Sequence, residues 1–359
     1  MRTAAFAAGL VFAAAGLLAA CAAPNPHYDP ARPHHRPHGY ANSDGSVGGK
    51  SFWTIARWQL ERLRDGLPLP IARDADGNAF PVVAPDLALL HANRAGPQVT
   101  ATWIGHATVF LQIGGRNLLF DPHFSERASP VQFAGPKRQT RLPVALAELP
   151  RIDVVLITHS HYDHLDAATV DALARQPGGP PVFVVPLGLD VWLNARGIER
   201  VVRFDWWERK RIEGLDIELT PAKHWSGRSF WNRNTTLWGG WAVLANGFSF
   251  WHAGDTAYSA DFVAIGRRFG GFDLAAIPVG SYEPRWLMHD VHATPDEAAR
   301  IFVDVRAQRG IGVHWGTFVL SDEPLDRPIA DLAHALDLHR IPHDRFVLFR
   351  HGETRVYSR

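Results

Sequence analysis

Cysteine is almost missing from this chain: Cys21 is the only one in 359 residues. A single thiol cannot close an internal disulfide, and it excludes a cysteine-rich zinc site. Excess charge of either sign is also lacking. Thirty-seven Lys and Arg nearly cancel 36 Asp and Glu. No basic run stands out, so nothing argues for a nucleic-acid partner. Beyond the N-terminus no apolar run approaches the ~20 residues that span a bilayer. There is no G-x-S-x-G to mark an activated serine.

Histidine and tryptophan are abundant instead, at 19 and 13. Imidazole is the commonest metal ligand, so the histidine positions carry information. A tryptophan surplus goes chiefly to core, with a few rings left to line an apolar pocket. At 46% hydrophobic and 20% charged residues, the chain can bury a packed soluble core. Its length allows one large domain or two ordinary ones.

The N-terminus reads as a targeting segment. Arg2 supplies one positive charge, an Ala- and Leu-rich run covers Ala4 to Ala20, and Leu18-Ala19-Ala20-Cys21 ends it. That order is a secretory signal with a small-residue cleavage site. It also resembles a bacterial lipoprotein signal, over residues 1–20, with Cys21 as the lipid-modified residue. The expectation is an envelope lipoprotein, on the periplasmic face in a Gram-negative cell, held to the membrane through Cys21. Residues 21–50 follow with Pro24, Pro26, Pro30, Pro33, Pro37 and a Gly- and Ser-rich end. This composition predicts a flexible solvated tether, in which His34, His35 and His38 bind metal weakly at most. Gly48-Gly49-Lys50-Ser51 is not a phosphate loop, because Asp44 stands where the first glycine belongs and no strand precedes it.

From residue 51 to 359 one domain is expected, with no internal repeat. Strand-length apolar runs recur at Leu118–Phe120, Val154–Ile157, Val182–Val185, Phe248–Trp251, Ala275–Ile277 and Ile311–Val313. Asp166 can cap a helix through Val170 and Leu173. Thr294-Pro295-Asp296-Glu297 opens another with a capping box and proline at the first helical position. Strands mixed with helices over one core indicate a layered α/β or α+β domain.

The chemistry concentrates in Thr158-His159-Ser160-His161-Tyr162-Asp163-His164, directly after the apolar run Val154–Ile157. A strand feeding a turn delivers four donors into one small volume, and imidazole and carboxylate are what Zn²⁺ accepts at ~2.0–2.2 Å. Asp255 and His314 each follow a further apolar run, and Gly254 permits a tight backbone approach beside Asp255. His224 sits in a Pro-bounded loop. Each of these three alone reads as an ordinary core or surface residue; with the His159–His164 motif they place donors after three apparent strands and one loop.

H-x-H-x-D-H with later isolated His, Asp and His resembles the metallo-β-lactamase superfamily. Thr102–Thr108, Phe120-Asp121-Pro122, Gly135-Pro136-Lys137-Arg138, Asp205-Trp206-Trp207-Glu208, Pro221–Trp225, Gly254-Asp255-Thr256, Pro284–Met288 and His314–Phe318 resemble, more closely, the N-acyl-phosphatidylethanolamine phospholipase D family, in consistent order over roughly residues 50 to 330. The resemblance implies a four-layer αββα sandwich with two zinc ions. It implies His159, His161 and His224 on one ion, Asp163, His164 and His314 on the other, and Asp255 bridging. It implies a catalytic part for Asp163 through the metal, a non-ligand active-site role for His292, and support of the metal loop by Asp121. Redox members with two irons generally carry glutamate where this chain has His161, which favours hydrolysis.

The expected activity is therefore phosphodiester cleavage in N-acyl-phosphatidylethanolamine or a related phospholipid. The alternatives are a lactone or cyclic-phosphate hydrolase on the same metals, and a non-enzymatic zinc-stabilised envelope protein. A structural zinc site is normally closed, which weighs against the last. Trp225, Phe230, Trp231, Trp238, Trp241 and Trp286 divide between two readings, an acyl-binding wall and core packing, with core favoured.

Overall fold

The computed structural model describes residues 24–229 and 231–358. The expected signal segment, Cys21 and Phe230 lie outside the described residues. Among those described, no helix is long and apolar enough to cross a membrane.

The stretch expected to be a solvated tether packs on the domain instead. Its described part, residues 24–50, forms a small hairpin of β1 (His35–Arg36) and β2 (Gly39–Tyr40). His34, His35, Tyr40, Ala41 and Asn42 are buried. Composition suggested solvation because the segment holds little apolar surface of its own. Long-range polar contacts fold it: His34 and His35 reach Asp205, 171 and 170 residues on.

Two seven-stranded sheets carry the rest. The first holds β3 (Val99–Gly105), β4 (Thr108–Ile113), β5 (Arg116–Phe120), β6 (Val154–Leu156), β7 (Val182–Pro186) and β8 (Val201–Phe204) in chain order. The second holds β9 (Arg209–Ile212), β10 (Leu215–Thr220), β11 (Gly240–Ala245), β12 (Phe248–His252), β13 (Leu274–Pro278), β14 (Gly310–Val313) and β15 (Phe346–Val347), also in order. A last strand, β16 (Thr354–Tyr357), returns to pair antiparallel with β3. All six apolar runs picked out in the sequence are strands.

Period-two alternation explains the layering. Leu118, Phe120, Val154, Leu156, Val182 and Val184 point into one core cluster, between the sheets. Leu119, Val155, Phe183 and Val185 point into a second cluster on the outer face. These central strands are buried on both faces, so they read as continuous apolar runs and not as alternating ones. Each fully buried Val, Leu, Ile or Phe contributes about 1.5–3 kcal/mol relative to exposure.

Helices cover the outer faces, which gives the α/β sandwich of four layers. On the first sheet lie α2 (Leu87–Ala92), α3 (Ala167–Ala174) and α4 (Leu189–Asn194), which supply Leu90, Val170, Leu173, Leu189 and Leu193. On the second lie α5 (Asp261–Phe269), α7 (Pro295–Asp304) and α8 (Arg327–His339). Both helix starts read from sequence occur. The Asp166 side chain accepts from the Ala168 amide, and Thr294 and Glu297 form a reciprocal capping box. Two helices, α1 (Phe52–Asp65) and α6 (Arg285–Met288), lie apart and share a small apolar cluster with Val291.

Candidate metal centre

The donors converge because the strands that precede them end at one edge. His159 to His164 follow β6, Asp255 follows β12, His314 follows β14, and His224 follows β10 after a short loop. β10 and β12 are both antiparallel to β11 and so run together, as β12, β13 and β14 do. Gly254 takes φ 65°, a left-handed conformation. A Cβ there would lie 2.9 Å from the Gly239 carbonyl oxygen and from Thr158 Cβ, so only glycine lets Asp255 enter.

Two groups of donors result. The donor atoms of His159, His161 and His224 lie within 4.8 Å of one another, and so do those of His106, Asp163, His164 and His314. In the first group His159 Nε2 is 2.9 Å and His224 Nε2 is 3.3 Å from His161 Nδ1. In the second, Asp163 Oδ2 is 3.4 Å from His164 Nε2 and 3.3 Å from His314 Nε2. A tetrahedral zinc with ~2.0–2.1 Å bonds sets its ligand atoms ~3.3 Å apart. Asp255 Oδ2 stands between the groups. It lies 3.9 and 3.8 Å from His159 and His224, and 3.1 and 3.0 Å from His164 and His314.

Hydrogen bonds on the far side of three rings assign their tautomers. Asp121 Oδ2 accepts from His164 Nδ1 at 2.8 Å and from Thr158 Oγ1 at 2.7 Å. Thr158 Oγ1 thereby accepts from His159 Nδ1 at 2.9 Å. The Val291 carbonyl accepts from His224 Nδ1 at 2.8 Å. All three rings then present a bare Nε2 lone pair to the interior. His159 and His224 both direct Nε2 at His161 Nδ1, which has at most one proton to give, and a cation among the three nitrogens satisfies them all. Buried His164 Nε2, His161 Nε2 and Asp255 Oδ1 have no hydrogen-bond partner, which is costly unless something else satisfies them. The donor set fits a metal pair.

Electrostatics agree. Burial would raise the Asp255 pKa, but His164 and His314 reverse this and hold it well below the carboxylate range. Burial likewise opposes ionisation of Asp163, and His164 with His106 overcomes it. Burial pushes His161 down to about 3 and His224 to about 4. Burial would lower His314 too, but Asp255 and Asp163 bring it up to about 9. Ionised carboxylates and neutral imidazoles are the forms that bind metal, so Asp255, Asp163, His161 and His224 already stand in the binding form, whereas His164 and His314, raised by the carboxylates beside them, give up a proton to the ion.

Every residue nominated from the sequence is at this centre. His292 is there as well: its Nδ1 is buried without a partner and lies 4.0 Å from Asp255 Oδ2. It groups with His224 and Asp255, and burial holds it well below the ordinary imidazole value. Asp121 sits behind the loop as expected. Sequence reasoning missed His106, whose Nε2 lies 2.9 Å from Asp163 Oδ2. The available signal was its place in Thr102–Thr108, after a glycine at a strand end. His106 itself takes φ 52°.

The centre floors an open cleft of about 340 Å³. Ile55, Trp58, Trp225, Leu287, Met288 and Val291 give it apolar walls, with Lys50 and Tyr162 beside them. The aromatic set divides accordingly. Trp238 and Trp241 are core, Trp225 lines the cleft, and Trp231 and Trp286 are exposed.

Comparison with known proteins gives this geometry its class. A family profile described as the Beta-lactamase superfamily domain matches residues 116–315. The chain belongs to the metallo-β-lactamase superfamily and is a metal-dependent hydrolase of that fold. Within the superfamily it has relatives of the N-acyl-phosphatidylethanolamine phospholipase D kind. It is 40% identical over 243 residues to N-acyl-phosphatidylethanolamine-hydrolyzing phospholipase D 1 of Caenorhabditis elegans, covering 63% of this chain and 68% of that protein. An uncharacterized protein of Mycobacterium tuberculosis is 37% identical over 311 residues, 85% of this chain and 80% of that one. Among solved structures, isothiocyanate hydrolase from Delia radicum gut bacteria superposes with a TM-score of 0.56 at 22% identity, over 72% of this chain and all of that one, a likeness of fold.

Proposed function

We propose that the chain is a dinuclear zinc phosphodiesterase of phospholipase D type, acting on N-acyl-phosphatidylethanolamine or a closely related phospholipid. The observation that carries this reading is Asp255 Oδ2 set between two donor groups at the floor of an apolar-walled cleft. His159, His161 and His224 would hold one ion, Asp163, His164 and His314 the other, and Asp255 both. Zinc bound there supplies Lewis acidity and a water whose pKa falls to about 7.

The chain's own residues do the rest. Apolar walls from Ile55, Trp58 and Leu287 exclude water and hold acyl chains. His292, outside both donor groups and kept neutral by burial, hydrogen-bonds the phosphoryl or leaving oxygen. The water oxygen bonds to phosphorus as the bond to the amino-alcohol oxygen breaks, and that oxygen takes up a proton from the water, giving phosphatidic acid and an N-acylethanolamine. Helix α1 favours a lipid substrate on a further count. Ile55 and Trp58 face the cleft, while Phe52, Trp53, Leu60 and Leu63 are 60–79% exposed. Trp53 with Leu60 recurs at helical spacing, giving an outward apolar stripe. The signal over residues 1–20 and lipidation of Cys21 are proposed on the sequence pattern alone; they place the enzyme at an envelope membrane.

Turnover in ¹⁸O-labelled water tests the reading. Attack at phosphorus puts the label in phosphatidic acid. Label in a freed fatty acid means acyl-ester hydrolysis instead. Turnover of a lactone or soluble cyclic phosphate, with none of any phospholipid, would replace this substrate class.

A further inference from the structure

Residues 24–49 were expected to float and are instead wired to the loop that carries His224. Asn42 is 2% exposed. Its Oδ1 accepts from the His224 amide at 3.0 Å and from Trp238 Nε1 at 3.1 Å. Around this contact three more bonds join the segment to the same loop. The Tyr40 amide donates to the Asn234 carbonyl at 2.9 Å. Lys223 Nζ pairs with Asp44 Oδ2 at 2.9 Å. Asn234 Nδ2 donates to the Gly48 carbonyl at 2.9 Å. At Gly48 a Cβ would lie 2.7 Å from the His224 carbonyl oxygen, so the two backbones lie against each other.

The other end of the segment is latched. His34 Nε2 and His35 Nε2 contact the two oxygens of Asp205 at 2.6 and 3.2 Å. His34 also stacks on Trp206, with centroids 4.4 Å apart. This trio is a latch and not an ion site. His35 Nδ1 accepts the Asp29 amide at 3.0 Å, so a neutral His35 carries its proton on Nε2, where an ion would have to bind.

We propose that residues 24–49 act as a strap that positions His224, with Asn42 as the positioning residue. The donor group of His159, His161 and His224 is then complete only when the strap is docked. His159 and His161 follow a core strand, whereas His224 sits on a loop that is tied to the sandwich at Lys223, through Thr256 and Ala257, and whose His224 amide is fixed from outside by Asn42. This rests on the two-ion reading above and adds a control on one of its halves. Removing such an outer contact typically weakens metal binding by ~10–100-fold.

The test uses full-length protein and zinc titration against a chelator, with cobalt(II) absorption as a second readout. Asn42→Ala should weaken one zinc by ~10–100-fold and leave the other at its wild-type constant. Asn42→Asp keeps the oxygen acceptor and should restore the lost affinity. His343→Ala, an exposed ring paired with Asp337 outside the strap, should change neither constant. Equal weakening of both ions, wild-type constants in Asn42→Ala, or failure of Asn42→Asp to rescue would each overturn the strap. A wild-type chain that never holds two ions would instead refute the two-ion reading. Hydrogen exchange of residues 223–234 in metal-free protein then decides the strap: faster exchange in Asn42→Ala supports it, unchanged exchange overturns it.

Discussion

The two halves of the donor cluster are built to different standards. The half with Asp163, His164 and His314 is wired from inside the sandwich. Asp121, fully buried, fixes His164 and the Thr158 backbone, His106 fixes Asp163, and the His314 amide donates to the His106 carbonyl at 2.9 Å. The half with His159, His161 and His224 takes its third donor from a loop held by Asn42 and Val291. One half is wired within the strand sandwich; the other is finished by Asn42, from the segment that precedes the sandwich. The difference teaches that a ligand set complete in sequence need not be equally secure in space.

The largest effect should come from the residue that joins the halves. Asp255→Asn should release both ions and abolish turnover, read by metal analysis and product assay together. Loss of one ion alone would mean the halves are independent.

Next is His292, which neighbours both halves, with ring centroids 5.2 Å from His224 and 5.3 Å from His314. His292→Ala should keep two zincs per chain while turnover falls by roughly 10²-fold or more, the scale of losing one hydrogen-bond donor to a transition-state oxygen. Zinc loss in that variant would make His292 a ligand and redraw the first half.

Asp121→Asn should weaken the strand-built half most, by ~10–100-fold in zinc affinity, with a smaller loss in the other half, whose His159 Asp121 reaches through Thr158. One Asn oxygen cannot serve the Thr158 amide, the Thr158 hydroxyl and His164 together. Chelator competition would show it; equal loss from both halves would erase the distinction between them.

The smallest effect concerns stability and pH. His351 backs the strand-built half through Thr317 Oγ1, at 3.0 Å, which in turn accepts the His106 amide at 2.7 Å. Burial pushes His351 down to about 3. Its folded pKa therefore lies below the unfolded value of ~6.5. Above pH 6.5 both states are neutral and nothing is gained. Below it the unfolded chain takes up a proton that the native state refuses, so stability falls with pH. Between pH 6.5 and 5 this one group should cost about 2 kcal/mol. Urea unfolding of metal-free His351→Gln should show a pH slope smaller by that amount; an equal slope would remove His351 from the acid response.

Much of this was legible in the sequence because it rests on local pattern. A strand buried on both faces leaves a continuous apolar run, and donors at its carboxyl end follow it directly, so His159 to His164, Asp255 and His314 were visible as strand-end residues. The resemblance joined His224 to them. What stayed hidden depends on contacts far apart in the chain. Nothing around Asn42 indicates that it meets His224 182 residues later, and a Pro-, His- and Gly-rich stretch reads as solvated until Asp205 is beside it. His106 was hidden for a different reason: a lone histidine at a strand end carries no spacing signal, and only the fold places it on Asp163.

The central claim is a two-ion centre with unequal halves joined at Asp255. Zinc titration of metal-free wild-type protein against a chelator, with turnover followed at each step, tests it most directly. The account predicts two equivalents per chain with two separable constants, and turnover that rises as the second ion binds. A single equivalent, or full turnover in metal-free protein, would contradict it.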